Sequence, residues 1–156
     1  MNLLRRTLLK GAGASGVLLA ALASGMLKPS QALAAEWNKN AFEAKEIAAA
    51  LRAIDAASAG DSRDLVLTAP DIAENGALVP IEILSNIANT TSLAVLVEKN
   101  PNPLSAYFDF ANGAVPEISL RLKLAQTSNV KVIAKADGKS YSTQREIKVT
   151  VGGCDD

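Results

Sequence analysis

The 156-residue chain contains no histidine and a single cysteine, Cys154. Without histidine, neither a Ser-His-Asp nor a Cys-His catalytic arrangement can be built, and the commonest general base is missing. One cysteine cannot by itself supply the usual zinc site. No glycine-rich phosphate loop follows a strand and opens a helix, and the carboxylate pair Asp155-Asp156 is expected to be open to water. The sequence therefore predicts a protein that is not an enzyme and holds no cofactor or metal.

The N-terminal segment has the features of an export signal. Arg5-Arg6-Thr7-Leu8-Leu9-Lys10 has the twin-arginine form, a weakly apolar stretch follows over Gly11–Leu27, and Ala32-Leu33-Ala34 offers small residues for a signal peptidase. The uncharged stretch is shorter than the roughly 20 residues that a transmembrane helix needs. We therefore expect residues 1–34 to be a cleaved twin-arginine signal peptide, and the mature protein to lie in the periplasm.

Removal of this segment changes the charge balance of the chain. The whole sequence has 16 basic and 16 acidic residues, and residues 1–34 contain four of the basic ones and no acidic one. The remaining 122 residues therefore carry 12 basic and 16 acidic groups, a net charge of −4. No basic tract is left, so the sequence predicts no nucleic-acid and no membrane partner. In an oxidising compartment, a single cysteine is either a reactive group or a link to another chain.

The first element expected after the signal is a helix over Asn40–Ala57. Asn40 can cap it, and Glu43 follows three residues later, as in a capping box. Apolar residues recur at helical spacing on one side, namely Phe42, Ala49, Ala53 and Ala57. The helix is predicted to serve as scaffold or as a contact with a partner.

From Leu65 onward the apolar residues recur with a period of two, which indicates β-strands. Seven runs are predicted: Leu65–Thr68, Leu78–Leu84, Leu93–Glu98, Ala106–Phe110, Glu117–Leu124, Val130–Ala136 and Tyr141–Val151. Asn75-Gly76 and Asp137-Gly138 are turn sequences, and the second is a strong hairpin signal. Seven short strands with close turns predict an all-β fold, an immunoglobulin-like β-sandwich with one N-terminal helix, over residues 35–151.

Gly152-Gly153-Cys154-Asp155-Asp156 follows directly on the last strand, and we refer to residues 152–156 as the arm. Two glycines leave the backbone free to take many conformations, so the arm is predicted to be flexible. From Val151 it can carry the Cys154 thiol over roughly 10 Å, at about 3.5 Å per residue. A thiol placed in this way suits a covalent tether that enters the active sites of other proteins. The alternative is a frayed terminus with an incidental cysteine.

Several segments along nearly the whole chain resemble one known family. They are the twin-arginine signal, Ala73-Glu74-Asn75-Gly76, Val97-Glu98-Lys99-Asn100-Pro101-Asn102-Pro103-Leu104, Lys135-Ala136-Asp137-Gly138-Lys139 and Val149-Thr150-Val151-Gly152-Gly153-Cys154. On these segments the chain resembles SoxY, the sulfur-carrier subunit of the periplasmic thiosulfate-oxidising Sox system. The most specific of them is Gly-Gly-Cys at the end of the chain.

The resemblance implies a role for Cys154 and a set of partners. In the family, the cysteine that matches Cys154 carries thiosulfate-derived sulfur as a covalent adduct. A c-type cytochrome, SoxXA, joins thiosulfate to the thiol oxidatively, and a hydrolase, SoxB, releases the terminal sulfonate as sulfate. A sulfane dehydrogenase oxidises the remaining sulfane in some organisms. A second β-sandwich, SoxZ, forms a heterodimer with the carrier.

The chain departs from the family pattern after Cys154. The family usually ends in Gly-Gly-Cys-Gly-Gly, whereas Asp155 and Asp156 occupy the last two places here. Their negative charge is expected to disfavour the thiolate and to repel an anionic substrate. Besides a covalent carrier, two other functions stay open on the residues alone: a non-covalent β-sandwich binding module, and a structural subunit linked to another chain by a disulfide through Cys154.

Overall fold

Two β-sheets pack face to face in the computed structural model, which describes residues 38–150. The predictions for residues 1–34 and for residues 151–156 fall outside the described residues. The strands of the described part are β1 (Gly60–Asp61), β2 (Leu65–Thr68), β3 (Ile72–Ala73), β4 (Val79–Ser85), β5 (Thr90–Val97), β6 (Leu104–Asp109), β7 (Glu117–Leu122), β8 (Ser128–Ala136) and β9 (Lys139–Val149). The architecture confirms the all-β sandwich that the period-two pattern predicts.

The larger sheet has the order β1-β9-β8-β5-β6, and β3 joins it on β9. Strands β6, β5, β8 and β9 pair with one another in antiparallel orientation, whereas β1 and β3 run parallel to two separate parts of β9. The smaller sheet is antiparallel, with the order β2-β4-β7. In β4 and β7 the buried or half-buried residues alternate with exposed ones, because one face of this sheet packs on the core and the other meets water.

Strand β5 is buried on both faces, from Ser92 to Val97. Leu93, Val95 and Val97 pack towards the smaller sheet, in the core between the sheets. Ala94 and Leu96 belong to a second apolar cluster, with the helical segment and Ile133. The described chain therefore has three layers: short helices, the larger sheet and the smaller sheet. Each fully buried leucine contributes about 1.5–3 kcal/mol relative to exposure.

The single helix predicted over Asn40–Ala57 is wrong, because two short helices replace it: α1 (Lys39–Glu43) and α2 (Ile47–Ala53). Ala44 separates them, with an extended backbone at φ −57° and ψ 135°. Such short helices are marginal in water, so packing decides where they begin and end. The break lets Ala41 and Ala50, both fully buried, pack on the same sheet face. Ala57, predicted on the apolar side, is exposed.

The helix cap also differs from the prediction. Asn38, and not Asn40, caps α1, since its Oδ1 accepts a hydrogen bond from the Ala41 amide at 3.1 Å. Asn40 lies inside the first turn of α1. The capping box predicted from Asn40 and Glu43 is therefore wrong.

The strand predictions agree with the structure more closely. The run Leu65–Thr68 is confirmed as β2, and the other six runs differ from the observed strands by one to three residues at one end or both. The Asp137-Gly138 turn is confirmed, because both residues have positive φ, of 50° and 72°. The prediction missed β1 and β3. Each has two residues and exists only through its pairing with β9.

Candidate functional site

The end of β9 is the part of the described chain from which the arm departs. The pairing of β9 with β8 stops at Ser128 and Ile147. The following residues of β9 have no partner residue in β8, and Thr150 is the last residue that the structure describes. The two predicted arm glycines, Gly152 and Gly153, and the predicted attachment residue Cys154 lie outside the described residues.

Residues 71–74, which we call the strap, bind this end of β9 along the edge opposite β8. Strap and strand run parallel, with Ile72 paired to Lys148 and Ala73 to Val149. The Lys148 amide donates to the Asp71 carbonyl at 2.9 Å, and the Thr150 amide donates to the Ala73 carbonyl at 3.1 Å. These backbone bonds fix β9 beyond the point where β8 ends.

Two threonine side chains complete the anchorage. The Thr150 hydroxyl donates to the Glu74 carbonyl at 2.8 Å, so both the amide and the side chain of Thr150 bind the strap. On the opposite side, the Thr127 hydroxyl accepts a hydrogen bond from the Val149 amide at 3.0 Å. Thr127 directly precedes β8. Its hydroxyl accepts the hydrogen bond that a backbone carbonyl would accept if β8 were longer.

An exposed ion pair joins Asp71 of the strap to Arg145 of β9. The Arg145 guanidinium lies 2.7 Å from the Asp71 carboxylate and donates a hydrogen bond to it. This hydrogen bond, followed by the attraction of the Arg145 charge, lowers the pKa of Asp71 below its usual value, and Lys148 adds a smaller effect in the same direction. Because the pair is open to solvent, it contributes little to overall stability.

Chain length limits how far Cys154 can lie from this anchored end. Cys154 lies four positions after Thr150 in the sequence. At 3.3–3.6 Å per residue, the two Cα atoms are at most about 14 Å apart.

Elsewhere, the described residues contain little that resembles a reaction centre. The buried Ser142 hydroxyl donates to the Asp61 carboxylate at 2.8 Å, and this bond ties β9 to β1.

Within residues 38–150 no three His, Cys, Asp or Glu side chains are grouped so that they could hold a metal ion. In the same part of the chain, no helix is long and apolar enough to cross a membrane.

The sequence prediction did not single out Thr127, Thr150 or the strap. Thr150 was part of the last predicted strand run, Tyr141–Val151, and of one segment that resembles the family, and Thr127 lay between two runs. One signal was present, since residues 73–76 and 149–154 are both among the segments that resemble the SoxY family. The contact that the structure describes joins residues 73–74 to residues 149–150, and local pattern does not reveal it because more than 70 residues lie between them.

The fold and the anchored strand end define the class of this protein: an immunoglobulin-like β-sandwich module whose chain continues past a fixed strand end into a short cysteine-bearing segment. A family model described as "Sulfur oxidation protein SoxY" matches residues 50–154. The chain belongs to the SoxY family. The matched range includes Gly152, Gly153 and Cys154 and stops before Asp155.

Solved structures agree with this assignment. The sulfur carrier protein SoxY from Chlorobium limicola f thiosulfatophilum is 36% identical, with a TM-score of 0.62 over 72% of this chain and 99% of the other. An engineered protein is 12% identical, at a TM-score of 0.40 over 56% of this chain and 20% of its own. The bacterial superantigen toxic shock syndrome toxin-1 is 16% identical, with a TM-score of 0.38 over 55% of this chain and 98% of the toxin chain. These last two similarities do not bear on the family. No curated protein matches the chain.

Proposed function

We propose that this protein is a sulfur carrier that holds thiosulfate-derived intermediates covalently on Cys154 and presents them to partner enzymes. The observation that carries the proposal is the family match through residue 154, which includes the only thiol of the chain. A structural relative with 36% identity is described as a sulfur carrier protein. The chain supplies the tether and is not itself an enzyme, in keeping with its lack of histidine.

The chemistry that we propose for Cys154 needs an external electron acceptor. The thiol and thiosulfate combine to form R–S–S–SO₃⁻, and one proton and two electrons leave. A c-type cytochrome of the SoxXA type takes the electrons. A SoxB-type hydrolase then adds water and releases sulfate and two protons, which leaves R–S–S⁻ on the carrier. A sulfane dehydrogenase is a further candidate partner for the remaining sulfur.

The proposal includes a permanent partner and a location. Strands β2, β6 and β7 are edge strands in the described part of the chain, and exposed sheet edges are usually covered or paired. Ile72 and Leu78 are also more than half exposed. We propose a SoxZ-like subunit as the partner in a heterodimer, and the periplasm, reached through the twin-arginine pathway, as the location.

The proposal is tested by intact mass spectrometry of the protein purified from cells that grow on thiosulfate. We expect sulfur-containing adducts on Cys154 that a reductant removes. Cys154→Ser should fold and bind its partner normally, yet carry no adduct and support no thiosulfate oxidation, because the reactive species is a thiolate. Wild-type protein treated with reductant is the matched control. Native mass measurement of the same sample should show the second subunit before and after reduction.

Other outcomes would identify the alternative functions. A free thiol as the main form would indicate a non-covalent binding module. A covalent dimer as the main form would indicate a structural subunit linked through Cys154. Thiosulfate oxidation supported by the serine variant would contradict the carrier function outright.

A further inference from the structure

We propose that Asn112 is a site of spontaneous deamidation, and that the fold protects Asn75, the other asparagine that is followed by glycine. This inference goes beyond the proposed function and does not depend on it. The sequence has two Asn-Gly pairs, Asn75-Gly76 and Asn112-Gly113. Glycine has no Cβ, so its amide nitrogen can approach the preceding side chain closely. The two pairs share this local chemistry, and their surroundings in the fold differ.

The reaction at Asn112 needs water and no other co-reactant. The Gly113 amide nitrogen loses its proton and bonds to the side-chain carbonyl carbon of Asn112. The bond from that carbon to the side-chain nitrogen breaks, and ammonia leaves. Water then opens the cyclic imide at either carbonyl and gives aspartate or isoaspartate. Both products carry a carboxylate where the amide was neutral, and the first step requires that water reach the glycine nitrogen.

The Asn112-Gly113 pair lies in the exposed connection between β6 and β7. Residues 111–115 are all exposed, and among residues 38–150 no group binds the Asn112 side chain. One backbone hydrogen bond closes this turn, from the Ala114 amide to the Ala111 carbonyl at 3.1 Å. A Cβ added at Gly113 would meet no atom within 4 Å. Ring closure at Asn112 therefore breaks one hydrogen bond and displaces no packed side chain.

The Asn75-Gly76 pair is held at both residues. Asn75 Oδ1 accepts a hydrogen bond from the Ala77 amide at 2.8 Å, and the Gly76 carbonyl accepts one from the Leu124 amide at 2.7 Å. Gly76 is also buried, which shields its nitrogen from water. Ring closure at Asn75 breaks at least one hydrogen bond more than closure at Asn112. The net strength of one hydrogen bond predicts that Asn112 deamidates at least about five-fold faster in the folded protein.

The new charge would lie at the end of the sandwich that is remote from the strap. Asn112 and Thr90 line the same surface groove, and none of the residues that line it is charged. Thr90 pairs with Ala136 at the end of β8, whereas Ile147, near the strap, pairs with Ser128 at the beginning of β8. Deamidation therefore places a carboxylate on an uncharged surface, away from the anchored end of β9.

The experiment incubates the purified folded protein at mildly alkaline pH and measures conversion at each asparagine by mass spectrometry. Digestion at acidic pH stops the reaction before the peptides are analysed. We expect conversion at Asn112 to be at least about five-fold faster than at Asn75 in the folded protein. A sample unfolded in urea is the matched reference and should show similar rates at both positions. Asn112→Gln should show no conversion at that position, because its longer side chain would have to close a larger ring.

Three results would overturn the inference. Conversion at Asn75 could equal that at Asn112 in the folded protein. A difference that persists in urea would show that the neighbouring sequence, and not the fold, sets the rates. Slow conversion at both positions in the folded protein would show that the turn itself, with φ of 56° at Asn112 and 73° at Gly113, keeps the reacting atoms apart. None of these measurements involves Cys154, so their outcome is independent of the carrier function.

Discussion

At the residue scale, the turns of the sandwich depend on aspartate, asparagine and glycine. Among the described residues, the non-glycine residues with positive φ are all of the first two types: Asp55, Asn89, Asn112 and Asp137. These side chains tolerate the left-handed region, which costs other residues about 1–2 kcal/mol. Asn89 and Asp137 also contact each other, since the Asn89 amide donates to the Asp137 carboxylate at 3.1 Å. Two separate turns thereby support one another at one end of the larger sheet.

A pair of glycine substitutions separates backbone strain from steric contact. Gly138 has a φ of +72°, Gly60 has no positive φ, and a Cβ at either position would meet no atom within 4 Å. Gly138→Ala should therefore lower the free energy of unfolding by about 1 kcal/mol through strain alone. Gly60→Ala should be neutral or slightly stabilising, because it restricts the unfolded chain. Urea unfolding measures both, and equal losses would show that strain at Gly138 is not the cause.

At the element scale, the two short helices are held to each other by one side chain. Asn38 accepts a hydrogen bond from the Ala41 amide at the start of α1, and its Nδ2 donates to the Ala53 carbonyl at the end of α2, at 2.7 Å. One residue thus satisfies a donor of the first helix and an acceptor of the second. Since α1 has five residues and α2 has seven, neither would be stable alone.

Two substitutions of Asn38 distinguish these bonds. Asn38→Ala removes both and should lower the free energy of unfolding by about 1–2 kcal/mol. Asn38→Ser keeps a capping oxygen for the Ala41 amide but is too short to reach Ala53, so about half of that loss is expected. Thermal or urea unfolding provides the measurement. If the serine variant is as unstable as the alanine variant, the cap contributes nothing.

At the scale of the whole molecule, the larger sheet is the central layer. Its strand β5 has one face in the core between the sheets and the other against the helices. Leu93 and Leu96 are both fully buried, on opposite faces of this strand. The burial of Leu96 therefore depends on the helical layer, while that of Leu93 depends on the smaller sheet.

Leu93→Ala and Leu96→Ala should each lower the free energy of unfolding by about 2–5 kcal/mol, because each leaves a cavity in a closed cluster. Urea unfolding followed by circular dichroism measures the two losses under the same conditions. A loss below about 1 kcal/mol for Leu96→Ala alone would show that the helices do not cover that face in solution. Leu93→Ala is its matched control on the other face.

Local pattern was sufficient for the parts of the fold that depend on neighbours in the chain. In the predicted run Glu117–Leu124 the period of two identified the buried side chains of β7 and of the two residues that follow it: Leu122 and Leu124 are buried, and Arg121 and Lys123 are exposed. The Asp137-Gly138 turn was equally readable, because the conformation of a two-residue turn is set by those two residues. The break in the helical segment could not be predicted in this way. No local feature of Ala44 ends a helix, and the helix ends there because Ala41 and Ala50, on either side of it, pack on the sheet.

The sequence by itself determined the chemistry available to this protein: no histidine, and one thiol, Cys154, preceded by Gly152 and Gly153. It also determined the sandwich, because strand periodicity is a property of consecutive residues. Only the tertiary structure decided how the end of β9 is anchored. The Thr150 hydroxyl meets the Glu74 carbonyl across 76 positions of sequence, and the two residues of β3 form a strand only because β9 lies beside them. Such contacts follow from the folding of the whole sheet, which no local pattern of residues encodes.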